Sequence, residues 1–253
     1  MNDIIRMIVT DLDKSLLRSD KTISEFTKTI FNKCKEKNII IVFATARPIR
    51  STKAFIQEIK PNAVIYHNGA IVIADQKELY CNKFSSEKAK ILLKTIEEKY
   101  PESTLSIDIN DKMYTNFDTE VKMEYQKIDF NNLPNFDVEK IIIGSIPIEK
   151  IIETKQFIPK DLYLQIDSGE FGVIMNKGVS KWNGIKELMK YYKIKSKEIV
   201  SFGDDYNDIL MVKNCGIGVA MENGIEEIKK SSKYICKTND EDGIANWINN
   251  KIL

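Results

Sequence analysis

The chain of 253 residues is long enough for one large domain or two modest ones. Its 43% hydrophobic and 30% charged residues are ordinary for a globular protein with a sizeable core. The 38 basic residues nearly balance the 37 acidic ones, so we expect neither nucleic acid nor a membrane surface as the main partner.

Three further features narrow the class of protein. No stretch reaches the roughly 18 apolar residues of a membrane span, and the N-terminus has no signal-peptide pattern, so we expect a cytoplasmic protein. The four cysteines are widely spaced and form no C-x-x-C motif, which favours reduced thiols over a zinc site or disulfides. His67 is the only histidine, which argues against a Ser-His-Asp triad and a histidine-rich metal site.

The first third of the chain alternates strands with helices. Between the first two strands, Thr22 and Glu25 fit a capping box, and Phe26, Ile30 and Cys34 follow at helical spacing. This alternation predicts an α/β fold with a doubly wound parallel sheet and right-handed crossovers. The other predicted elements here are strands Met7–Thr10, Ile39–Ala44 and Ala63–Tyr66 and a helix over Ile49–Ile59.

The middle of the chain has a different pattern, in which strand pairs surround two helices. We interpret residues 83–177 as an α/β cap domain inserted into a core domain formed by residues 1–82 and 178–253. The predicted elements are a hairpin at Ile71–Ala74 and Glu78–Cys81, helices Ser86–Tyr100 and Ile148–Phe157, and strands Thr104–Ile109, Lys112–Asn116, Lys140–Ser145, Leu162–Asp167 and Gly172–Asn176.

The α/β alternation then resumes and continues to the end of the chain. The predicted elements are helices Ser180–Tyr192, Ile225–Ser231 and Gly243–Asn250 and strands Ile199–Phe202, Ile217–Ala220 and Tyr234–Cys236.

Two carboxylates, Asp11 and Asp13, directly follow the first strand, and they start on one face of it because side chains alternate along a strand. Such a close pair is tolerated when a cation lies between the carboxylates or when one of them carries a proton. Thr45 and Asn68 follow the second and third strands, so polar groups collect at the carboxyl ends of the sheet. The pattern indicates a site there for a hard divalent cation, Mg²⁺ above all.

Seven segments, taken together and in order, resemble the haloacid dehalogenase superfamily, and within it the Cof-type sugar phosphatases. A single D-x-D motif is weak evidence, but these segments span nearly the whole chain. The resemblance implies a doubly wound core with an inserted cap. The segments are DLDKSLL (11–17), ATAR (44–47), HNGA (67–70), KGVSKWNGI (177–185), GDDYND (203–208), GVAMENG (218–224) and NDEDGIA (239–245).

The resemblance also implies a role for each matching residue. Asp11 matches the nucleophile that forms an aspartyl-phosphate, and Asp13 matches the general acid that protonates the leaving oxygen and then activates water. Thr45 and Lys181 match the residues that hold the phosphoryl oxygens.

The implied cofactor is Mg²⁺. Its ligands would be the Asp11 carboxylate, the Asp13 backbone carbonyl and Asp204, with Asp208 and Asn207 supporting that shell. The candidate substrate-binding residues are Ser15, Ala46, Arg47, Asn68 and Asn207.

Three positions depart from the family's pattern. Lys14 stands where glycine is usual, and lysine costs about 1 kcal/mol if the position needs a positive φ. Ala46 replaces the glycine of T-G-R, so the backbone there approaches the phosphate less closely. Ser15 in place of threonine is a mild change, and none of the three removes a catalytic group.

Several of these residues also have plainer interpretations. A structural salt bridge fits Arg47 better than phosphate binding, and a loop position fits His67 better than a proton shuttle. Asn68 fits two roles equally well: contact with the phosphate, or fixing the hinge between the core and cap domains. Asp205 is expected as a solvated loop charge or a helix N-cap.

We therefore expect a Mg²⁺-dependent phosphatase of small phosphorylated metabolites, with sugar phosphates first and flavin mononucleotide and pyridoxal phosphate next. A phosphomutase is an alternative function, which would require that the aspartyl-phosphate outlives attack by water. A phospho-metabolite-binding module with little turnover is the non-enzymatic alternative. We expect a monomer or a weak dimer.

Overall fold

The computed structural model describes residues 4–119, 124–167 and 169–253. The strands in these ranges are β1 (Met7–Thr10), β2 (Ile40–Ala44), β3 (Ala63–Tyr66), β4 (Ile71–Ala74), β5 (Lys77–Cys81), β6 (Thr104–Ile109), β7 (Lys112–Thr115), β8 (Tyr125–Lys127), β9 (Val138–Gly144), β10 (Leu162–Asp167), β11 (Phe171–Asn176), β12 (Ile199–Gly203), β13 (Ile217–Met221) and β14 (Tyr234–Cys236). The α-helices are α1 (Glu25–Glu36), α2 (Lys53–Ile59), α3 (Ser86–Lys99), α4 (Ile148–Glu153), α5 (Lys181–Tyr192), α6 (Ile209–Asn214), α7 (Glu226–Ser231) and α8 (Gly243–Lys251).

The chain divides into two compact units. Unit 1 consists of Met1–Cys81 together with Ser180–Leu253, and unit 2 consists of Asn82–Val179. Each unit has its own sheet and its own hydrophobic core.

Unit 1 is built on an eight-stranded sheet with the order β14-β13-β12-β1-β2-β3-β4-β5. The strands from β14 to β3 run parallel, and β4 and β5 add an antiparallel edge. Every residue of the central strand β1 is buried, as expected for a strand that is covered on both faces. The predicted α/β class and doubly wound parallel sheet are confirmed.

Helices cover both faces of this sheet because the apolar residues of its strands point alternately to each face. Ile8 of β1 belongs to the core that includes Phe31 of α1. Its neighbours Met7 and Val9 belong to the core on the other face, with Leu188 of α5.

The start of α1 corrects the sequence prediction. Ser24, not Thr22, is the N-cap, and its Oγ accepts a hydrogen bond from the amide of Thr27 at 3.0 Å. Of the three residues predicted at helical spacing, Ile30 and Cys34 are buried, but Phe26 is 41% exposed. The helix buries Phe31 instead, because Phe31 lies at helical spacing from Thr27 and Cys34 on the face towards the sheet.

Unit 2 contains a six-stranded sheet with the order β10-β11-β9-β6-β7-β8, which is antiparallel except for the pair β7 and β8. Side chains of α3 and α4 form its core with the strands β6, β9 and β11. No helix in the described ranges is both long and apolar enough to cross a membrane.

Candidate active site

Polar residues of unit 1 lie where neighbouring parallel strands end. Asp11 follows β1, Thr45 follows β2, and Asp204 follows β12. Because β12, β1 and β2 are adjacent and parallel, their carboxyl ends meet at one edge of the sheet. The amide of Asp11 donates to the carbonyl of Phe202 at 3.1 Å, which extends the strand pairing one residue into the site.

The segment after β1, residues 11–17, makes one wide turn that we call the β1 loop. The amide of Leu17 donates to the carbonyl of Leu12 at 2.8 Å and closes this turn. Lys14 has φ +59°, in the left-handed region that costs a non-glycine residue about 1 kcal/mol. Position 14 does need a positive φ, so the cost expected for a lysine there applies. The side chain of Lys14 is exposed to solvent.

A buried lysine joins two carboxylates at this edge. Lys181 is 1% exposed, and its Nζ donates to Asp11 Oδ1 at 2.6 Å and to Asp208 Oδ1 at 2.7 Å. Burial is the largest influence on the pKa of Lys181 and lowers it. The charges and hydrogen bonds of the two carboxylates outweigh burial and raise the pKa, so the lysine stays charged.

A short turn that follows β12 holds Asp208 beside the end of that strand. Its Oδ2 accepts from the amides of Asp204 at 3.1 Å and Asp205 at 3.4 Å. A Cβ on Gly203 would lie 2.4 Å from the Cβ of Asp208, so glycine makes room for this carboxylate. Asp205 is the N-cap of the turn Tyr206–Asp208, as one of its plainer interpretations predicted.

Three buried carboxylates, Asp11, Asp204 and Asp208, form a group that we call the acidic trio. One oxygen from each lies within 4.8 Å of the others. Ser15 Oγ donates to Asp204 Oδ1 at 2.8 Å. Burial first, and the charge of Asp208 second, raise the pKa of Asp204 to about 7, against the opposing influence of Ser15 and Lys181.

The acidic trio fits a hard divalent cation. Burial raises the pKa of Asp11 well above its ordinary value; Lys181 opposes this, and the charges of Asp208 and Asp204 add to it. Both raised pKa values reflect excess negative charge in a buried place, which a bound cation would neutralise. Carboxylate oxygens are the ligands that Mg²⁺ prefers.

The carboxylate of Asp13 lies outside the acidic trio. It accepts from Nε and Nη2 of Arg47, each at 2.6 Å, and from Nζ of Lys21 at 2.8 Å. Burial, the largest influence, raises the pKa of Asp13, but the hydrogen bonds and charges of these two cations lower it to about 2. Asp13 is therefore ionised here, and Arg47 forms the salt bridge of its plainer interpretation.

The remaining predicted residues lie close to Thr45, which is 1% exposed. Its Oγ1 accepts from the amide of Arg47 at 3.1 Å, and Ala46 lies half-buried between the two. Asn68 connects two strand ends, because its amide donates to the Thr45 carbonyl at 2.9 Å and its Oδ1 accepts from Asn207 Nδ2 at 3.1 Å.

Sequence reasoning missed several partners of the β1 loop. Lys21 binds Asp13, and nothing in the sequence marks it. Asn223 and Asn239 also bind the loop. They lie in the motifs GVAMENG and NDEDGIA, which gave the only signal for them but no role.

The fold and the site together define an α/β enzyme with its carboxylates at the carboxyl edge of a parallel sheet. A family model described as haloacid dehalogenase-like hydrolase matches residues 8–248, and the chain belongs to this family. The predicted superfamily and enzyme class, a phosphoric monoester hydrolase, are thereby confirmed.

Relatives of similar length are named phosphatases. The chain is 26% identical over 258 residues to "5-amino-6-(5-phospho-D-ribitylamino)uracil phosphatase YitU" of Bacillus subtilis, with 96% of each chain covered. It is 27% identical to "Putative phosphatase YxeH" of the same organism, with 98% of each covered. A solved haloacid dehalogenase-like hydrolase from Bacteroides thetaiotaomicron matches with a TM-score of 0.86 at 25% identity, covering 97% of this chain and 99% of that one.

Proposed function

We propose that the protein is a Mg²⁺-dependent phosphatase that acts on small phosphorylated metabolites through an aspartyl-phosphate on Asp11. One observation carries this proposal: buried Lys181 contacts both Asp11 and Asp208 at the end of β1, beside a third carboxylate, Asp204. This arrangement combines a carboxylate nucleophile with positive charge fixed next to it and a place for a divalent cation.

Asp11 is the nucleophile in this mechanism. Phosphoryl transfer needs little covalent help and much charge neutralisation, and a carboxylate approaches a phosphate dianion only where cations offset the repulsion. Lys181 orients the Asp11 carboxylate through Oδ1 and contributes one positive charge. As the new bond between Asp11 and phosphorus forms, the bond from phosphorus to the ester oxygen breaks.

The residues that would hold Mg²⁺ are Asp11, Asp204 and the Asp13 carbonyl, with Asp208 and Asn207 in support. Bound there, the ion would supply the remaining positive charge for the phosphoryl oxygens. Thr45, buried at the adjacent strand end, carries the hydroxyl that donates to one of those oxygens.

Asp13 is the general acid and then the general base. With a pKa of about 2 it holds no proton at neutral pH while Arg47 and Lys21 bind it. Its side chain must therefore leave this pairing and take up a proton from solvent before it protonates the leaving oxygen. The same carboxylate then removes a proton from the water that attacks the aspartyl-phosphate and releases inorganic phosphate.

The substrate class is a phosphate monoester of a polyhydroxylated small molecule. The name of the relative YitU, which is 26% identical, specifies a phosphorylated ribityl chain, and this supports sugar and sugar-alcohol phosphates as the first candidates. Flavin mononucleotide also carries a ribityl phosphate and comes next, followed by pyridoxal phosphate.

The test is release of inorganic phosphate from a panel of these esters, including the one that YitU is named for. Each is assayed with Mg²⁺, with EDTA, and with the variants Asp11→Asn and Asp205→Asn. We expect EDTA to stop turnover and Asp11→Asn to lower it by about 10⁴-fold or more. Asp205→Asn is the matched control, because asparagine caps the turn Tyr206–Asp208 equally well.

Turnover that survives both EDTA and Asp11→Asn would contradict the proposal. Transfer of the phosphoryl group to another hydroxyl of the same sugar would indicate a phosphomutase. Retained binding of orthovanadate without turnover of any ester would indicate the phospho-metabolite-binding module.

A further inference from the structure

Two motifs that the proposed chemistry does not use meet the β1 loop. Asn223 of GVAMENG donates from Nδ2 to the carbonyl of Lys14 at 2.7 Å. Its Oδ1 accepts from the amide of Asn239 of NDEDGIA at 3.0 Å, and Asn239 Nδ2 donates to the carbonyl of Leu17 at 2.9 Å. The two asparagines therefore connect two carbonyls of the loop through one continuous chain of hydrogen bonds.

The loop needs such support at Lys14. This lysine has φ +59°, a left-handed conformation that is less favourable for lysine than its right-handed alternatives. The hydrogen bond from Asn223 to the Lys14 carbonyl fixes the orientation of the peptide group that joins Lys14 to Ser15. Asn223 therefore offsets the cost of the left-handed conformation.

The orientation of Lys14 determines the position of both its neighbours. Asp13 precedes it and contributes the backbone carbonyl that we place on the cation. Ser15 follows it, and its hydroxyl donates to Asp204 of the acidic trio at 2.8 Å. A change of backbone conformation at Lys14 would move both groups relative to Asp204.

Residues of NDEDGIA contact both the β1 loop and the residues that follow it. Arg18 binds Asp242 through two nitrogens at 3.2 and 2.7 Å, and Ser19 binds Asp240, but Arg18 and Ser19 lie beyond the β1 loop. Asn239 is 6% exposed, so the loss of its side chain would leave a buried carbonyl of Leu17 without this donor.

We propose that Asn223 and Asn239 are positioning residues that hold Lys14 in its left-handed conformation and so fix the β1 loop beside the acidic trio. The kinetic readout of this inference rests on the proposed function, whereas its structural readout does not. Neither asparagine touches the reacting atoms in this account.

The central variant is Asn223→Ala, and the matched control is Asn214→Ala. Asn214 is also exposed, and its Nδ2 also donates to a backbone carbonyl, that of Leu210, at 2.7 Å. With p-nitrophenyl phosphate and Mg²⁺, we expect Asn223→Ala to lower kcat about tenfold, the equivalent of one hydrogen bond, with a smaller change in KM. Asn214→Ala should behave as wild type.

Rescue by glycine separates a positioning role from general damage. Glycine adopts positive φ without the lysine's penalty, so Lys14→Gly should restore most of the kcat that Asn223→Ala loses. The same substitution should raise the kcat of the wild-type background by a clearly smaller factor. Equal factors in the two backgrounds, or an Asn223→Ala no slower than Asn214→Ala, would overturn the inference.

Hydrogen exchange followed by mass spectrometry gives the structural readout on the same proteins. Peptides covering residues 11–17 should exchange faster in Asn223→Ala than in wild type, and at the wild-type rate in Asn214→Ala. If wild type hydrolyses no ester, the proposed function fails while this comparison still stands. Unchanged exchange in Asn223→Ala would overturn the positioning role whatever the activity.

Discussion

Both units bury charged side chains, but they balance them differently. In unit 2, Glu139 is 1% exposed and pairs with Lys83 at 2.9 Å, while Asp108 pairs with Lys140 at 3.6 Å. In unit 1, the buried Lys181 pairs with two of the three carboxylates of the acidic trio, Asp11 and Asp208, and Asp204 adds a third acidic group beside them. A buried ion pair with no net charge is weak evidence of function. A buried group with more carboxylates than cations indicates a site for an additional positive charge, which the side chains do not supply.

A raised pKa does not distinguish the two units. Burial is the largest influence on both Glu139 and Asp204 and raises the pKa of each. The second influence differs: the hydrogen bond from Lys83 lowers the pKa of Glu139, while the charge of Asp208 raises that of Asp204 further. At Asp204 the second influence on the pKa therefore adds to burial, whereas at Glu139 it opposes burial.

Replacing the two lysines tests this contrast most strongly. Lys181→Met leaves three buried carboxylates without a cation from the chain, and we expect kcat for phosphate release to fall about 10³-fold or more. Lys83→Met leaves Glu139 unpaired, and we expect it to lower the free energy of unfolding by up to about 3 kcal/mol while kcat stays near the wild-type value. Equal losses of kcat in the two variants would remove the distinction between the units.

Replacement of Asp13 by asparagine is expected to cause the next largest loss of kcat. Asp13→Asn cannot transfer a proton, so we expect kcat to fall about 10²- to 10⁴-fold while Asp11 still accepts the phosphoryl group. Rapid-quench kinetics with p-nitrophenyl phosphate, whose phenolate leaves without needing a proton, should then show a burst of leaving group followed by slow phosphate release. Phosphate release at the wild-type rate would mean that another group serves as the acid and base.

The acidic trio also predicts a pH dependence of stability. A carboxyl whose folded pKa is raised, here that of Asp204 to about 7, loses stabilisation as pH rises from its unfolded pKa through the folded one. In EDTA, the free energy of unfolding should therefore fall between about pH 4 and 7, by up to about 1.4 kcal/mol per pH unit from this group.

Urea unfolding at several pH values, with EDTA and with Mg²⁺, measures this effect. Mg²⁺ should stabilise the protein more at pH 8 than at pH 5, and Asp204→Asn should flatten both dependences. Asp205→Asn is the control in the same loop: the charge of Asp205 raises the pKa of Asp204 less than that of Asp208 does, so this variant should change both dependences only slightly. An equal stabilisation by Mg²⁺ at both pH values would contradict the ligand role of the trio.

The smallest predicted effect concerns the backbone. Lys14 in unit 1 and Asn110 in unit 2 both have positive φ, but asparagine tolerates this conformation and lysine does not. We expect Lys14→Gly to raise the free energy of unfolding by up to about 1 kcal/mol and Asn110→Gly to raise it less. A larger gain at Asn110 would show that Lys14 is not held under strain.

The fold was predictable where apolar runs are continuous. The bounds of Met7–Thr10 and Ala63–Tyr66 agree with the sequence, since buried strands require such runs. Tyr125–Lys127 and Ile209–Asn214 were missed, because the first is a short polar strand and the second a single short helix. The N-cap of α1 was wrong because Thr22 and Ser24 offer the same hydroxyl, and only packing selects between them.

The candidate site also has a part that was predictable from the sequence and a part that was not. The grouping of Asp11, Asp204 and Asp208 was predicted from the family resemblance of the motifs DLDKSLL and GDDYND, and it agrees with their place at the ends of adjacent parallel strands. The ion pair between Asp13 and Lys21 was not predicted, because Lys21 reaches Asp13 from a turn whose path no local pattern specifies. Residues 120–123 and 168 lie outside the described ranges.

The central claim is that the unbalanced charge around Asp11 serves phosphoryl transfer to that residue. Acid quenching of Asp13→Asn during turnover of p-nitrophenyl phosphate with Mg²⁺, followed by proteolysis and mass spectrometry, tests it directly. We predict one added phosphoryl group on the peptide that contains Asp11, and none when Asp11→Asn is added to the same variant. A phosphoryl group on another residue, or turnover that leaves the protein unmodified, would contradict the account.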